Sequence, residues 1–270
     1  MEKYFTTTKE IPRLGRFYPG IIEDTLLFDT AKQHVLRKQP WNLNQHVNLP
    51  ASLSISQRNF HLSREHEGGG MHKVVTSRLT ADVPRSFNLS LKCYAMFAEQ
   101  VTNSFSLDVY EIERTKEYTF YYKNYIDIEK SSAEAENHTL LVFQEIVQEE
   151  MFLHATYDLT WHIRYHQPNG EAYYILVTLP APIVYVTCID ANELTNFASE
   201  NSSVLEDRVL GPCPIGVKQL CLWLPINVTT DGSLQFSWPV GQSQQQLFVT
   251  AVTCIVTFAS TLVIILTVIK

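Results

Sequence analysis

The longest apolar pattern in the chain runs from Leu247 to Ile269, LFVTAVTCIVTFASTLVIILTVI, 23 residues without a charge. A helix of that length rises about 34 Å, enough to cross a hydrocarbon core of about 30 Å with some tilt. Lipid offers backbone amides no partner, so a single crossing segment must be helical. The pattern therefore predicts a transmembrane helix over 247–269.

Ahead of that run, period-two patterns dominate. TYDLTWHIRYH alternates, with Leu159, Trp161, Ile163 and Tyr165 on one face and Thr160, His162, Arg164 and His166 on the other, which predicts a half-buried strand with an outward polar face. QPNG and then EAYYILVTL follow, and Asn169-Gly170 suits the positive φ values of a tight turn, so a hairpin is expected there. GVKQLCLWLPINV and SLQFSWPV, joined by TTDG, predict a second hairpin on Asp231-Gly232. Strand-like runs also occupy 87–97, 104–112, 118–128 and 183–189.

One segment has a different period. HTLLVFQEIVQEEMF sets Leu140, Phe143, Val147 and Met151 at helical spacing with Gln144, Gln148 and Glu149 opposite. That predicts an amphipathic helix from Thr139 to Phe152, with a continuous strand as the alternative. The expected fold is mainly β: an antiparallel β-sandwich or barrel-like domain with one amphipathic helix, then a single C-terminal transmembrane helix. Residues 1–75 are expected to be an irregular segment packed on the main domain, 76–240 the β-rich domain, and 247–269 the span.

Composition supports a folded unit, since 45% of residues are hydrophobic and 11% aromatic, enough for a substantial core. Charge is uneven: residues 1–85 carry 12 basic and 8 acidic side chains, and 86–270 carry 9 and 20. The basic residues are scattered, so a solvated surface is expected and no nucleic-acid partner.

Candidate chemistry is sparse. His61, His66, Glu67 and His72 fall within one stretch, HLSREHEGGGMH, and imidazole with carboxylate suits zinc or a similar metal. HEGGGMH lacks the i, i+4 histidine pair of a helical zinc site, and its three glycines oppose a rigid helix, so a surface loop is expected in place of a metal centre. No G-x-S-x-G elbow, C-x-x-C pair, Walker phosphate loop or G-x-G-x-x-G turn occurs. Neither an enzymatic role nor a cofactor is expected.

Topology rests on several weak signals. Lys270 is the only Lys or Arg after Lys218, and the positive-inside rule then places the large domain on the lumenal or extracellular side. Against this, MEKYFTTTKEIPRLGRFYPG carries charges throughout and lacks the apolar core of about 7 to 15 residues found in a secretory signal. That pattern fits a tail-anchored protein facing the cytosol. Sequons at Asn88, Asn137, Asn201 and Asn227 are glycan acceptors if the domain enters the secretory route. Cys93, Cys188, Cys213 and Cys221 form an even set outside the span, matching two bridges, Cys213 with Cys221 and Cys93 with Cys188.

In the span, Thr253, Thr257 and Thr261 recur every four residues as a stripe on which another helix can pack. The expected partners are the bilayer and a protein, or a second copy of the chain. The functional reading is a single-pass membrane glycoprotein whose ectodomain binds or recognises a protein or cell-surface ligand. The alternatives are a cytosol-facing scaffold or adaptor on an organelle, and a membrane-complex subunit or the front portion of a polytopic protein.

Overall fold

The computed structural model describes residues 49–115, 119–122, 126–168, 170, 173–189, 209–214, 220–230 and 232–268. In chain order these form α1 (Leu49–Ser56), β1 (Phe60–Glu67), β2 (His72–Asp82), β3 (Lys92–Val101), β4 (Phe105–Ser106), α2 (Val109–Thr115), β5 (Thr119–Tyr122) and β6 (His138–Glu149). There follow β7 (Phe152–Ile163), β8 (Tyr174–Leu179), β9 (Ile183–Ile189), β10 (Val209–Pro212), β11 (Leu220–Pro225), β12 (Val228–Thr230), β13 (Leu234–Pro239) and α3 (Gln246–Val268). The fold is mainly β with an apolar C-terminal helix, as expected.

Eleven strands make one sheet in the order β10-β11-β9-β3-β6-β7-β2-β1-β12, with β4 added to β7 and β5 to β6. β8 and β13 form a separate antiparallel ribbon. The sheet is mixed where an antiparallel one was expected, because β12 runs parallel to β1.

Strand β6 explains how the sheet encloses a core. Its residues 138–146 pair with β3, and Val147–Glu149 pair with the start of β7 through a tight turn at Glu150, whose φ is +50°. The β3 and β7 halves therefore face each other, and the Phe97 ring meets Tyr157 at 4.6 Å. β7 sends Leu153, Ala155, Tyr157, Leu159, Trp161 and Ile163 inward, and the main core gathers on that face. β3 is covered on both faces. Phe97 and Ala95 join the main core, while Tyr94 and Met96 join a second cluster around Trp223 and Phe143.

That double burial corrects the expected helix at 139–152, which is strand β6 and the beginning of β7. Leu140, Val142 and Ile146 enter the main core, and Leu141 and Phe143 enter the second cluster. A strand buried on both faces reads as a continuous apolar run and imitates helical spacing. Val147 and Met151, which a helix would bury, are exposed.

Both expected hairpins are also corrected. β2 pairs along the length of β7, and β4 takes His162 and Ile163 on the other edge, the positions that a hairpin partner would meet first; the strand after QPNG pairs with β13. β11 likewise pairs with β10 and β9, and not with β13. Asn169 and Asp231, expected in the two turns, lie outside the described residues.

The expected boundary at 75 falls inside β2, and residues 60–75 belong to the sheet. HLSREHEGGGMH is thus a β1–β2 hairpin with its turn at the glycines. At Gly68, with φ +96°, a Cβ would sit 2.8 Å from the His72 carbonyl oxygen. Residues 1–48 lie outside the described residues.

The expected strand at 104–112 is strand only at β4, Phe105–Ser106, and from Val109 it is the start of helix α2. The Asp108 Oδ1 accepts from the Tyr110 and Glu111 amides at 2.9 and 3.4 Å, an N-cap that satisfies donors the helix cannot.

Cys93 faces Cys188 across β3 and β9 and is bonded to it, and Cys213 is bonded to Cys221 across β10 and β11. At the first bridge the Cys188 amide points away from β3 and donates to the buried Ser52 Oγ of α1 at 2.8 Å. Because the two bridges close chain separations of 95 and 8 residues, chain entropy makes them unequal, at about 5 and about 2.5 kcal/mol. Replacing Cys93 and Cys188 with alanine is expected to lower the denaturant midpoint of the full chain in detergent more than replacing Cys213 and Cys221. The reverse order would show that chain entropy does not govern these bridges.

Candidate functional site

The centre of the domain holds an ion pair. Arg64 of β1 and Glu99 of β3 have fully buried side chains. Arg64 Nη2 donates to Glu99 Oε1 and Oε2 at 3.0 and 3.2 Å, and Nε donates to Ser77 Oγ of β2 at 3.1 Å. Nη1 donates to the Pro180 carbonyl at 2.7 Å and the Gly232 carbonyl at 3.3 Å. These five contacts match the five N–H donors of a guanidinium. The Tyr157 hydroxyl of β7 donates to Glu99 Oε1 as well.

Burial raises the Glu99 pKa, with Arg64 and Tyr157 pulling it back down, and burial and the Glu99 charge hold the Tyr157 hydroxyl well above its ordinary value. The group ties β1, β2, β3 and β7 to one end of the β8–β13 ribbon, since Pro180 directly follows β8, Gly232 precedes β13, and Leu179 lies opposite Leu234. Its chemistry is that of a clamp: no solvent path reaches the paired charges, and their donors are already satisfied.

Sequence reasoning did not single out Arg64, Ser77, Glu99 or Tyr157. The inward alternation Phe60, Leu62, Arg64 carries the signal, but the arginine interrupts its apolar half and the strand reads as a loop.

The sequence-named residues lie elsewhere. His61, His66 and Glu67 are exposed on β1, and His72 is exposed at the start of β2. Among the described residues, no group of three His, Cys, Asp or Glu side chains is arranged to hold a metal. The His72 ring packs edge-on against His162 at 4.4 Å, and His162 Nε2 lies 3.2 Å from Glu111 Oε2.

The outward face expected for His162, Arg164 and His166 holds only in part. β7 ends at Ile163, and beyond it Arg164 turns inward to donate to the Phe105 and Lys130 carbonyls at 2.9 and 2.7 Å. Tyr165, expected inside, is exposed.

Asn88, Asn137 and Asn227 are all exposed, and Asn201 lies outside the described residues. Asn88 sits on a loop pinned by Gln148, which accepts from the Leu89 amide and donates to the Phe87 carbonyl. In α3, Thr253, Thr257 and Thr261 donate to the carbonyls of Val249, Thr253 and Thr257, each at 2.8 Å. Their hydroxyls are satisfied within the helix.

A β-rich domain clamped by a buried ion pair, and joined at its last strand to a helix long and apolar enough to cross a bilayer, defines a membrane protein with a large domain on one side. Residues 68–269 match the family described as PIG-X / PBN1, and the chain belongs to that family, one of subunits in GPI-anchor biosynthesis. The match takes in Ser77, Glu99, Tyr157 and the apolar helix, and begins just beyond Arg64. No curated protein matches the chain.

Breaking a buried pair from one side strands a charge and costs about 3 to 5 kcal/mol, whereas replacing both partners with apolar groups is often nearly neutral. Arg64→Met alone is therefore expected to lower stability by that amount, and Arg64→Met with Glu99→Leu to recover most of it, in denaturant unfolding of the full chain in detergent. The raised Glu99 pKa also fixes a sign. The fold binds the proton more tightly than the unfolded chain, so this contribution is full below the unfolded carboxylate pKa of about 4.3 and is lost as pH rises through the folded value. Glu99→Gln is expected to flatten that slope.

Proposed function

We propose that this chain is a non-catalytic subunit of the membrane machinery that builds GPI anchors, in association with a mannosyltransferase of the endoplasmic reticulum. The family match, which runs continuously from the β-rich domain through the apolar helix, carries this reading. The family's proteins are complex subunits of the endoplasmic reticulum membrane, associated with a mannosyltransferase. Deleting the gene is expected to remove GPI-anchored proteins from the cell surface, and the full chain to restore them. Affinity capture of the tagged full chain should bring down a polytopic mannosyltransferase, while the purified chain alone transfers no mannose. Normal surface display of GPI-anchored proteins in the deletion strain would sink the reading.

The domain faces the lumen in this reading. Two cysteine pairs at bonding distance suit an oxidising compartment, and the exposed Asn88, Asn137 and Asn227 suit glycan transfer. Endoglycosidase treatment is expected to increase gel mobility, and replacing these three asparagines and Asn201 with glutamine to abolish the shift. Unchanged mobility of the wild type, beside a glycosylated control, would place the domain in the cytosol.

The threonine stripe of α3 is the face offered to another membrane helix. Small residues allow close backbone approach even when their hydroxyls bond within their own helix. Thr253→Leu, Thr257→Leu and Thr261→Leu together should preserve insertion and weaken crosslinking to the captured partner. Equal crosslinking would assign the stripe to anchoring alone.

A further inference from the structure

We propose that a cleft of about 430 Å³ between the β1–β2 turn and β13 binds the phosphate headgroup of an anionic phospholipid in the leaflet beneath the domain. His66, Gly70 and Lys73 line it from the hairpin, and Phe236, Trp238 and Pro239 from β13. Ring contacts join its two walls to the core: the His66 ring packs on Phe236 at 5.0 Å, and Phe236 packs on Phe105 at 5.9 Å. Its cation is available to an anion, because the Lys73 ammonium donates to the neutral Gly68 carbonyl at 2.9 Å and, among the described residues, meets no carboxylate.

Position supplies the occupant. β13 ends at Pro239 and α3 begins at Gln246, and the intervening chain reaches at most about 25 Å even when extended. Ser243–Gln245 form a 3-10 turn, which shortens that reach. The Pro239 end of the cleft is therefore held close to the point where the helix enters the bilayer. Tyr174 lies opposite Pro239, and the Tyr173 carbonyl accepts from the Val240 amide. Both tyrosines are more than 60% exposed, at 63% and 64%. They form an aromatic edge beside Pro239 of the kind that settles among headgroups, while the half-buried Trp238 faces the core on the other side of the ribbon. A cationic cleft behind such an edge complements an anionic phosphodiester, and a leaflet presents that group at far higher local concentration than bulk solution does.

This inference rests on α3 spanning a bilayer. The test uses the full chain in lipid nanodiscs of phosphatidylcholine, with and without phosphatidylglycerol, reading lysine acetylation by mass spectrometry. Lys73 labelling is expected to fall about fivefold in the anionic discs, the equivalent of about 1 kcal/mol for one cation at an anionic surface. Lys92 is the internal control. It adjoins Cys93, which pairs with Ile146 near the β6–β7 turn, at the strand ends opposite Lys73. Equal Lys73 labelling in both discs overturns the proposal. Protection reproduced by free inorganic phosphate in pure phosphatidylcholine discs overturns the lipid as its source. A chain that fails to enter discs overturns the spanning reading and this proposal together, whereas incorporation without protection overturns this proposal alone.

Discussion

The buried contact between Arg64 and Glu99 is the constraint on which the rest of the fold depends. Neither charge could be left alone at zero exposure, because an isolated buried ion loses far more in hydration than the protein interior returns. Each backbone segment that meets the pair must therefore arrive in register. β2 supplies Ser77, β7 supplies Tyr157, and one end of the ribbon supplies the Pro180 and Gly232 carbonyls. Slipping β1 by one residue would turn Arg64 outward and strand Glu99. The same slip would turn the buried Phe60 and Leu62 to solvent, so the guanidinium and the apolar side chains of β1 enforce one register together.

Around the clamp, two further devices fix the sheet. β3 is buried on both faces, so its neighbours β6 and β9 are held by pairing and by packing at once. The Cys93–Cys188 bridge joins β3 to β9 across nearly one hundred residues of chain, and α1 covers the amide left unpaired there through Ser52. Covalent, polar and apolar constraints thus converge on β3.

What was legible in the sequence follows from these same forces. The span, the alternation of β7, the strand at 183–189 and both cysteine pairs were readable, because each depends on a local pattern or on a small even set of residues. The β6 strand was not, since burial on two faces erases alternation and leaves LLVF looking helical. The β1 strand failed for the opposite reason, as Arg64 places a charge where a core residue was expected. The hairpins failed because turn signals at Asn169-Gly170 and Asp231-Gly232 describe a reversal of the chain and not its partner. Whether two strands join depends on which edges are free, and at the end of β7 where a hairpin would start, β2 and β4 hold both.

The polar cluster that sequence patterns hid also bears on how the domain meets the membrane. Arg64 grips the Pro180 carbonyl at one end of the ribbon and the Gly232 carbonyl at the other strand's start. Six cross-strand pairs then carry that position along the ribbon to Tyr174 and Pro239, and only a short link separates Pro239 from α3. Without that grip the ribbon would rest on the core through Val177, Leu179 and Phe236, with the half-buried Ile175, Leu234 and Trp238 beside them, contacts that are apolar and carry no directional bond. The clamp therefore fixes where along the core the ribbon lies, and so where the chain leaves the domain toward the apolar helix α3.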